Sequence, residues 1–262
     1  MKYLLSALAA SLLLLPLAAA AQNPSVEEVV QRTNQASYYQ GNDGRARVKM
    51  TITDAQGRTR DREFTILRLN TDDKNENQKF YVYFHRPADV RETVFMVWKN
   101  VGADDDRWLY LPALDVARRI AASDVRTSFV GSDFFYEDVS GRGIEEDHHE
   151  LVEVTDTYFV LKNTPKNPGQ VEFDSYTMYI DKGSYLPVRV QYEKGGTVYR
   201  QLDTLNVEEV DGHLTVTQAR MRDVANGTET VLDYSAVQYD IGLTDDIFTE
   251  RYLRRAPREF IR

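Results

Sequence analysis

The chain has 262 residues, 42% of them hydrophobic and 11% aromatic, with no cysteine and a formal net charge of −9. This length allows one large all-β domain or two small ones. The charge disfavours nucleic acid and anionic headgroups as long-range partners, and the lack of cysteine excludes disulfides, a thiol nucleophile and a lipidated N-terminal Cys.

In chain order, Lys2 precedes the apolar run LLSALAASLLLLPLAAAA, which Pro16 interrupts and which ends in small residues. This pattern predicts a secretory signal peptide over 1–21, with Ala19 and Ala21 as the small residues before cleavage at Gln22. Loss of Lys2 with that leader takes the charge from −9 to −10. Export without cysteine points to the Gram-negative periplasm and leaves residues 22–262 as the mature domain. PSVEEVVQRTNQASYY (24–39) sets Val26, Val29, Val30 and Thr33 at helical spacing, with Pro24 and Ser25 before them and Gly41 after.

The period then changes to two. Val48, Met50 and Ile52 alternate with Lys49, Thr51 and Thr53. DAQG makes a turn, and Phe64, Ile66 and Arg68 lie opposite Thr65, Leu67 and Leu69. A polar loop, TDDKNENQ (71–78), leads into KFYVYFHRP, TVFMVW and RWLYL. ELVEVTDTYFVLKN (150–163), SYTMYID, YLPVRVQYE, TVYRQL, VEEVDGHLTVTQARM and ETVLDYSAVQYD carry the strand pattern on through short Gly-containing turns. The expectation is one antiparallel meander of about ten or eleven strands, with DDIFTERYLRR packing Phe248 and Leu253 against an edge.

FYVYF and TVFMVW do not alternate, so both sheet faces are covered there. The obvious covers are the first helix and the irregular segment 112–147. Two readings fit: a packed core beneath those elements, or a concave sheet whose apolar face lines a ligand cavity.

The stretch RWLYLPALDVARRIAASDVRTSFVGSDFFYEDV (107–139) resembles the outer-membrane lipoprotein-sorting proteins of the LolA-like superfamily, specifically their longer branch. There a W-L-Y-L-P-A-L run, a basic pair (Arg118 and Arg119) and a G-S-D-F-x-Y-E-D motif (Gly131 to Asp138) follow in this order. The similarity extends from the opening helix through YIDKGSYLPVRVQYE to DDIFTERYL. It implies a single half-open, unclosed antiparallel β-barrel whose concave face is covered by helices and loops and encloses an apolar cavity for acyl chains. It also implies a non-enzymatic periplasmic carrier, monomeric and without a cofactor, moving a lipoprotein or lipid between an inner-membrane exporter of resistance-nodulation-division (RND) type and an outer-membrane acceptor.

Strand parity nominates Met50, Ile52, Phe64, Ile66, Phe80, Val82, Phe84, Phe95, Val97, Trp108 and Tyr110 as the cavity lining. Arg118, Arg119, Phe134, Phe135 and Tyr136 are nominated as gate or lid, with Gly131, Gly141 and Gly143 as hinges. Shielding matters because an acyl chain in water costs about 0.8 kcal/mol per CH₂, or on the order of 12 kcal/mol for some sixteen carbons. A mobile cover keeps so large an affinity reversible.

GSDFFYEDVSGR (131–142) sets Asp133, Glu137 and Asp138 among three rings. The structural expectation is that these carboxylates pair with Arg118, Arg119, Arg126 or Arg142 while rings pack inward; a catalytic pair would need a polar cleft. EEDHHE (145–150) brings His148 and His149 among four carboxylates. Neighbouring histidines on a strand point to opposite faces, so a solvated acidic loop is expected rather than a metal site. DDD (104–106) lacks calcium-loop spacing. The alternatives to a carrier are an adaptor of an RND-type exporter without its own cargo, and a hydrolase or metal-binding protein using the 145–150 loop.

Overall fold

The computed structural model describes residues 23–72, 77–121 and 124–262. The leader over 1–21 and the centre of the 71–78 loop lie outside the described residues. Helix α1 (Val26–Tyr38) starts where Ser25 accepts a hydrogen bond from the Glu28 amide, and it buries Val29, Val30 and Thr33. Thirteen strands follow: β1 (Asp43–Thr53), β2 (Thr59–Asn70), β3 (Gln78–Arg86), β4 (Val94–Lys99), β5 (Asp106–Leu111), β6 (Val116–Arg119), β7 (Asp147–Val154), β8 (Tyr158–Pro165), β9 (Ser175–Asp181), β10 (Pro187–Lys194), β11 (Thr197–Val210), β12 (His213–Asp223) and β13 (Thr228–Tyr239). They exceed the expected ten or eleven for two reasons. ELVEVTDTYFVLKN is a hairpin, not one strand, and the four-residue β6 is hidden in the irregular segment.

All the strands form one antiparallel sheet in the order β6-β5-β4-β3-β2-β1-β13-β12-β11-β10-β9-β8-β7. The first and last strands of the meander pair with each other, so the break falls in mid-sequence, between β6 and β7. These two edge strands stay unpaired with one another, which leaves the barrel half-open. Residues 120–146 connect the two edges and carry helix α2 (Tyr136–Ser140).

Both faces of β2–β5 are covered, which explains why their sequences do not alternate. On the inner face Met50, Phe64, Phe80, Val82, Phe84, Phe95, Val97 and Leu109 pack with Phe129, Phe134 and Tyr136. On the outer face Leu67, Tyr81, Val94, Met96 and Trp108 pack under Leu243, Ile247, Phe248, Leu253 and Ile261. The C-terminal segment, with helices α3 (Glu250–Arg254) and α4 (Arg258–Ile261), is thus a third cover that the sequence reading did not provide for. Phe248 and Leu253 are buried as expected, but on this outer face rather than at an edge. Asp43 anchors the segment by accepting from the backbone amides of Ile241, Gly242 and Leu243.

Candidate functional site

Directly opposed residues of antiparallel strands share a face, and this fixes what looks inward. Phe64 opposes Phe84, Ile66 opposes Val82, and Val82 opposes Phe95, which in turn opposes Leu109. Trp108 and Tyr110 therefore oppose Met96 and Val94 on the outer face, where they lie under the C-terminal segment. Their assignment to the lining is corrected: the 100–105 connection sets β5 one residue out of the assumed parity, so Leu109 and Leu111 look inward instead.

Inside the barrel the two halves differ. The β1–β5 half is plugged. Residues 127–136 fold back on themselves through a bond from the Phe129 amide to Phe134 O (2.7 Å), tightened by Ser132 Oγ donating to Phe129 O (2.7 Å). At the tip Val130 and Gly131 both take left-handed backbone conformations (φ 50° and 79°), a strain for the β-branched residue that glycine tolerates freely. The turn drives Phe129 between Phe64, Phe84, Phe95 and Tyr136, with ring centroids 5.5–6.2 Å apart. Most of the nominated lining, including Ile52, Phe84, Phe95 and Val97, is therefore solid core against this plug. Met50, Phe64 and Val82 border only a small cavity of ≈ 80 Å³ beside it, which Ile66 also lines.

The other half is hollow. A cavity of ≈ 390 Å³ lies between α1 and the inner face of β8–β13; of the nominated lining only Ile66 and Phe80 border it. Its floor is one row that crosses five strands by direct pairing: Leu161, Met178, Val190, Leu202 and Met221. Sequence reasoning missed this row because it favoured the most continuously apolar strands, and continuity marks double cover, not a cavity. The usable signal was the cleaner alternation of VRVQYE and TQARM.

Two residues along each strand, and so on the same face, runs a polar row: His149, Asn163, Tyr176, Tyr192 and Arg200. Here the 131–142 stretch docks. Asp133 accepts from Thr228 Oγ1 and Thr230 Oγ1; Asp138 accepts from the Phe135 amide (2.6 Å) and from Arg200, whose guanidinium lies 3.9 Å from the Phe135 ring centroid. Glu137 Oε1 meets Arg126 (3.3 Å) and Arg142 (3.4 Å); burial pushes its carboxyl up, against the pull of both guanidiniums. Of the four arginines expected as partners, Arg126 and Arg142 serve. Arg200 was not foreseen.

Arg118 and Arg119 are exposed on edge strand β6, where Arg119 pairs with Asp106 and lies over Trp108. Neither lines the cavity. Arg118, opposite Leu109, lies on the inner face near Tyr136, whereas Arg119, opposite Trp108, lies on the outer face, so its place in the lid is corrected. Phe134 and Tyr136 are buried, and Phe135 is half-buried under Arg200. Gly141 (φ 72°) lets the Tyr38 ring of α1 lie directly on the lid backbone, and Lys99 beneath donates to Ser140 O (2.9 Å).

The 145–150 segment is not a solvated loop. Asp147, only 2% exposed, opens β7 and receives Arg142 (3.0 Å) and the Tyr176 hydroxyl (2.7 Å). His148 points outward. His149 faces the cavity with Nδ1 2.7 Å from Asn163 Oδ1 and Nε2 2.7 Å from Ile144 O. Arg68, on β2, lines the cavity and donates to the carbonyls of Gln40 and Gly41 just beyond α1. No group of three or more His, Asp or Glu suited to a metal occurs among the described residues. No helix among them is long and apolar enough to cross a membrane.

A search of curated proteins finds no match. A family model described as "uncharacterized protein"-like matches residues 76–255. Among solved structures, a DUF1329 family protein from Desulfovibrio piger is 29% identical with a TM-score of 0.79, over 86% of this chain and 96% of that one. A domain assigned to outer-membrane lipoprotein sorting, from Vibrio parahaemolyticus, is 27% identical with a TM-score of 0.77, over 87% and 97%. A LolA superfamily protein from Nitrosomonas europaea, 18% identical with a TM-score of 0.68 over 88% and 100%, shares the fold. The chain belongs to the family that this model describes, and it shares its fold with the lipoprotein-sorting and LolA superfamily structures it resembles.

Proposed function

We propose that this protein is a non-enzymatic periplasmic carrier that shields an acyl chain of a lipoprotein or lipid while it moves between membranes. The observation that carries the reading is the ≈ 390 Å³ cavity with its apolar floor from Leu161 to Met221, in the half of the barrel that the lid leaves unfilled. A methylene takes about the volume of a liquid water, roughly 30 Å³, so a space of this size suits a single chain of about a dozen carbons. A longer or second chain would need the 127–141 plug to swing out and open the β1–β5 half as well.

On this reading the leader over 1–21 delivers the chain to the periplasm, where an inner-membrane exporter loads it and an outer-membrane acceptor unloads it. The three carboxylates of 131–142 hold the lid; each is paired, and none faces another across a polar cleft. Native mass spectrometry of protein purified from the periplasm without detergent, with lipid extraction of any adduct, tests this directly. A stoichiometric acylated adduct is the expected result. Met221→Trp, which fills the cavity, should lower uptake of a fluorescent fatty acid, whereas Trp108→Ala on the outer face should not. Protein with no adduct and no uptake would leave the exporter adaptor as the better reading.

A further inference from the structure

The wall facing the apolar floor is α1, and it is not apolar. Thr33 and Ser37, one turn apart and so on the same helix face, both line the cavity. Thr33 is 4% exposed, and the Oγ atoms of both residues are buried without a hydrogen-bond partner. Serine and threonine within helices commonly turn the hydroxyl back onto the carbonyl four residues earlier; neither does so here. Polar neighbours around the same cavity are engaged: His149 with Asn163 and Ile144, Asn163 with Leu161 and Tyr176, and Arg68 with the chain after α1. A bare hydrocarbon against this wall would leave two hydroxyl donors unsatisfied, which proteins rarely tolerate.

We propose that Thr33 and Ser37 form a binding site for the carbonyl of an acyl linkage, an ester or amide, both hydroxyls donating to its oxygen while the tail lies along Met178, Val190 and Leu202. This rests on the carrier reading and narrows it. The cavity takes the head of the acyl group together with its tail, and it discriminates acyl esters and amides from other hydrocarbon amphiphiles. A glycerolipid ester and the acylated N-terminus of a lipoprotein offer the same carbonyl chemistry.

The test is fluorescence titration of the full mature chain with a pyrene-labelled long-chain methyl ester and with the pyrene-labelled alkane of equal length. The wild type should prefer the ester. Thr33→Val with Ser37→Ala should erase that preference, losing roughly fivefold in ester affinity per hydroxyl while alkane binding is kept. Thr33→Val is close to isosteric and removes an unsatisfied donor, so its melting temperature should hold or rise, and this guards against loss of folding. Equal binding of the two probes by the wild type, or a preference surviving in the double variant, would overturn the proposal. Binding of neither probe would overturn the carrier reading itself, a distinct outcome. Displacement of the ester by a diacyl phosphatidylcholine or by a triacylated cysteine lipopeptide identifies the source of the carbonyl; displacement by neither would also overturn the site.

Discussion

Replacing Asp138 by alanine removes the carboxylate bonded to Arg200, whose side chain is only 5% exposed. A buried cation left without its partner costs about 3–5 kcal/mol. The lost acceptor for the Phe135 amide at the start of α2 adds about 1 kcal/mol. For a chain of this size each kcal/mol lowers the melting temperature by about 2–4 °C, so a fall of about 10–20 °C is expected by circular dichroism. Asp138→Asn keeps an acceptor for Phe135 and should lose about 1 kcal/mol less. Replacing both partners, Arg200→Met with Asp138→Leu, removes the stranded charge and should recover most of the loss. Hydrogen exchange should show that residues 129–141 open before the β1–β5 core in the single variant. A single variant that loses less than about 1 kcal/mol, as an exposed pair would, refutes the assignment of this pair as the lid's anchor. So does a double variant no more stable than the single one.

Phe129→Ala should cost about 3–5 kcal/mol by chemical denaturation, and should extend bound-chain length toward the β1–β5 half as read by a fatty-acid length series. In Gly141→Ala the new Cβ would lie 2.8 Å from Tyr38 Cε1 at a φ of 72°. A loss of more than about 1 kcal/mol and faster exchange of both α1 and the lid should follow. Burial holds the Lys99 amine below the ordinary lysine value of 10.5, only partly offset by Asp105, Glu145 and Glu146. The folded state therefore binds fewer protons than the unfolded one as pH rises toward 10.5, and stability gains with pH in that window. Lys99→Met should lack this gain, so the melting temperature of wild type relative to variant should climb between neutral pH and about 10.

Much of the architecture was legible in the sequence, because period-two patterning and glycine turns are local properties. The opening helix, the meander and the inward packing of Phe134 and Tyr136 could all be read from it. So could the double cover of FYVYF and TVFMVW, though not the identity of the outer cover. Nothing local indicates that residues 241–261 return to the outer face of β2–β5 rather than to an edge. The nominated lining fell largely on solid core for a related reason: an apolar inner face has the same pattern whether rings or empty space lie against it. Which of the two applies was decided by Phe129, placed by a turn 34 to 65 residues along the chain from the strand rings it packs against, Phe95, Phe84 and Phe64.

The partners of 131–142 divide along the same line. Arg126 and Arg142 are near in sequence and were nominated, whereas Arg200 is brought in by β11. Composition and alternation by themselves determined that the chain would form one antiparallel sheet with apolar faces, since each residue's preferred face is set by its neighbours; the curl into a half-open barrel was implied by the family resemblance. Only the tertiary structure decided where the barrel's interior stays hollow. The cavity is what remains after a lid, a helix and thirteen strands from distant parts of the chain have packed, and no segment encodes its own empty space.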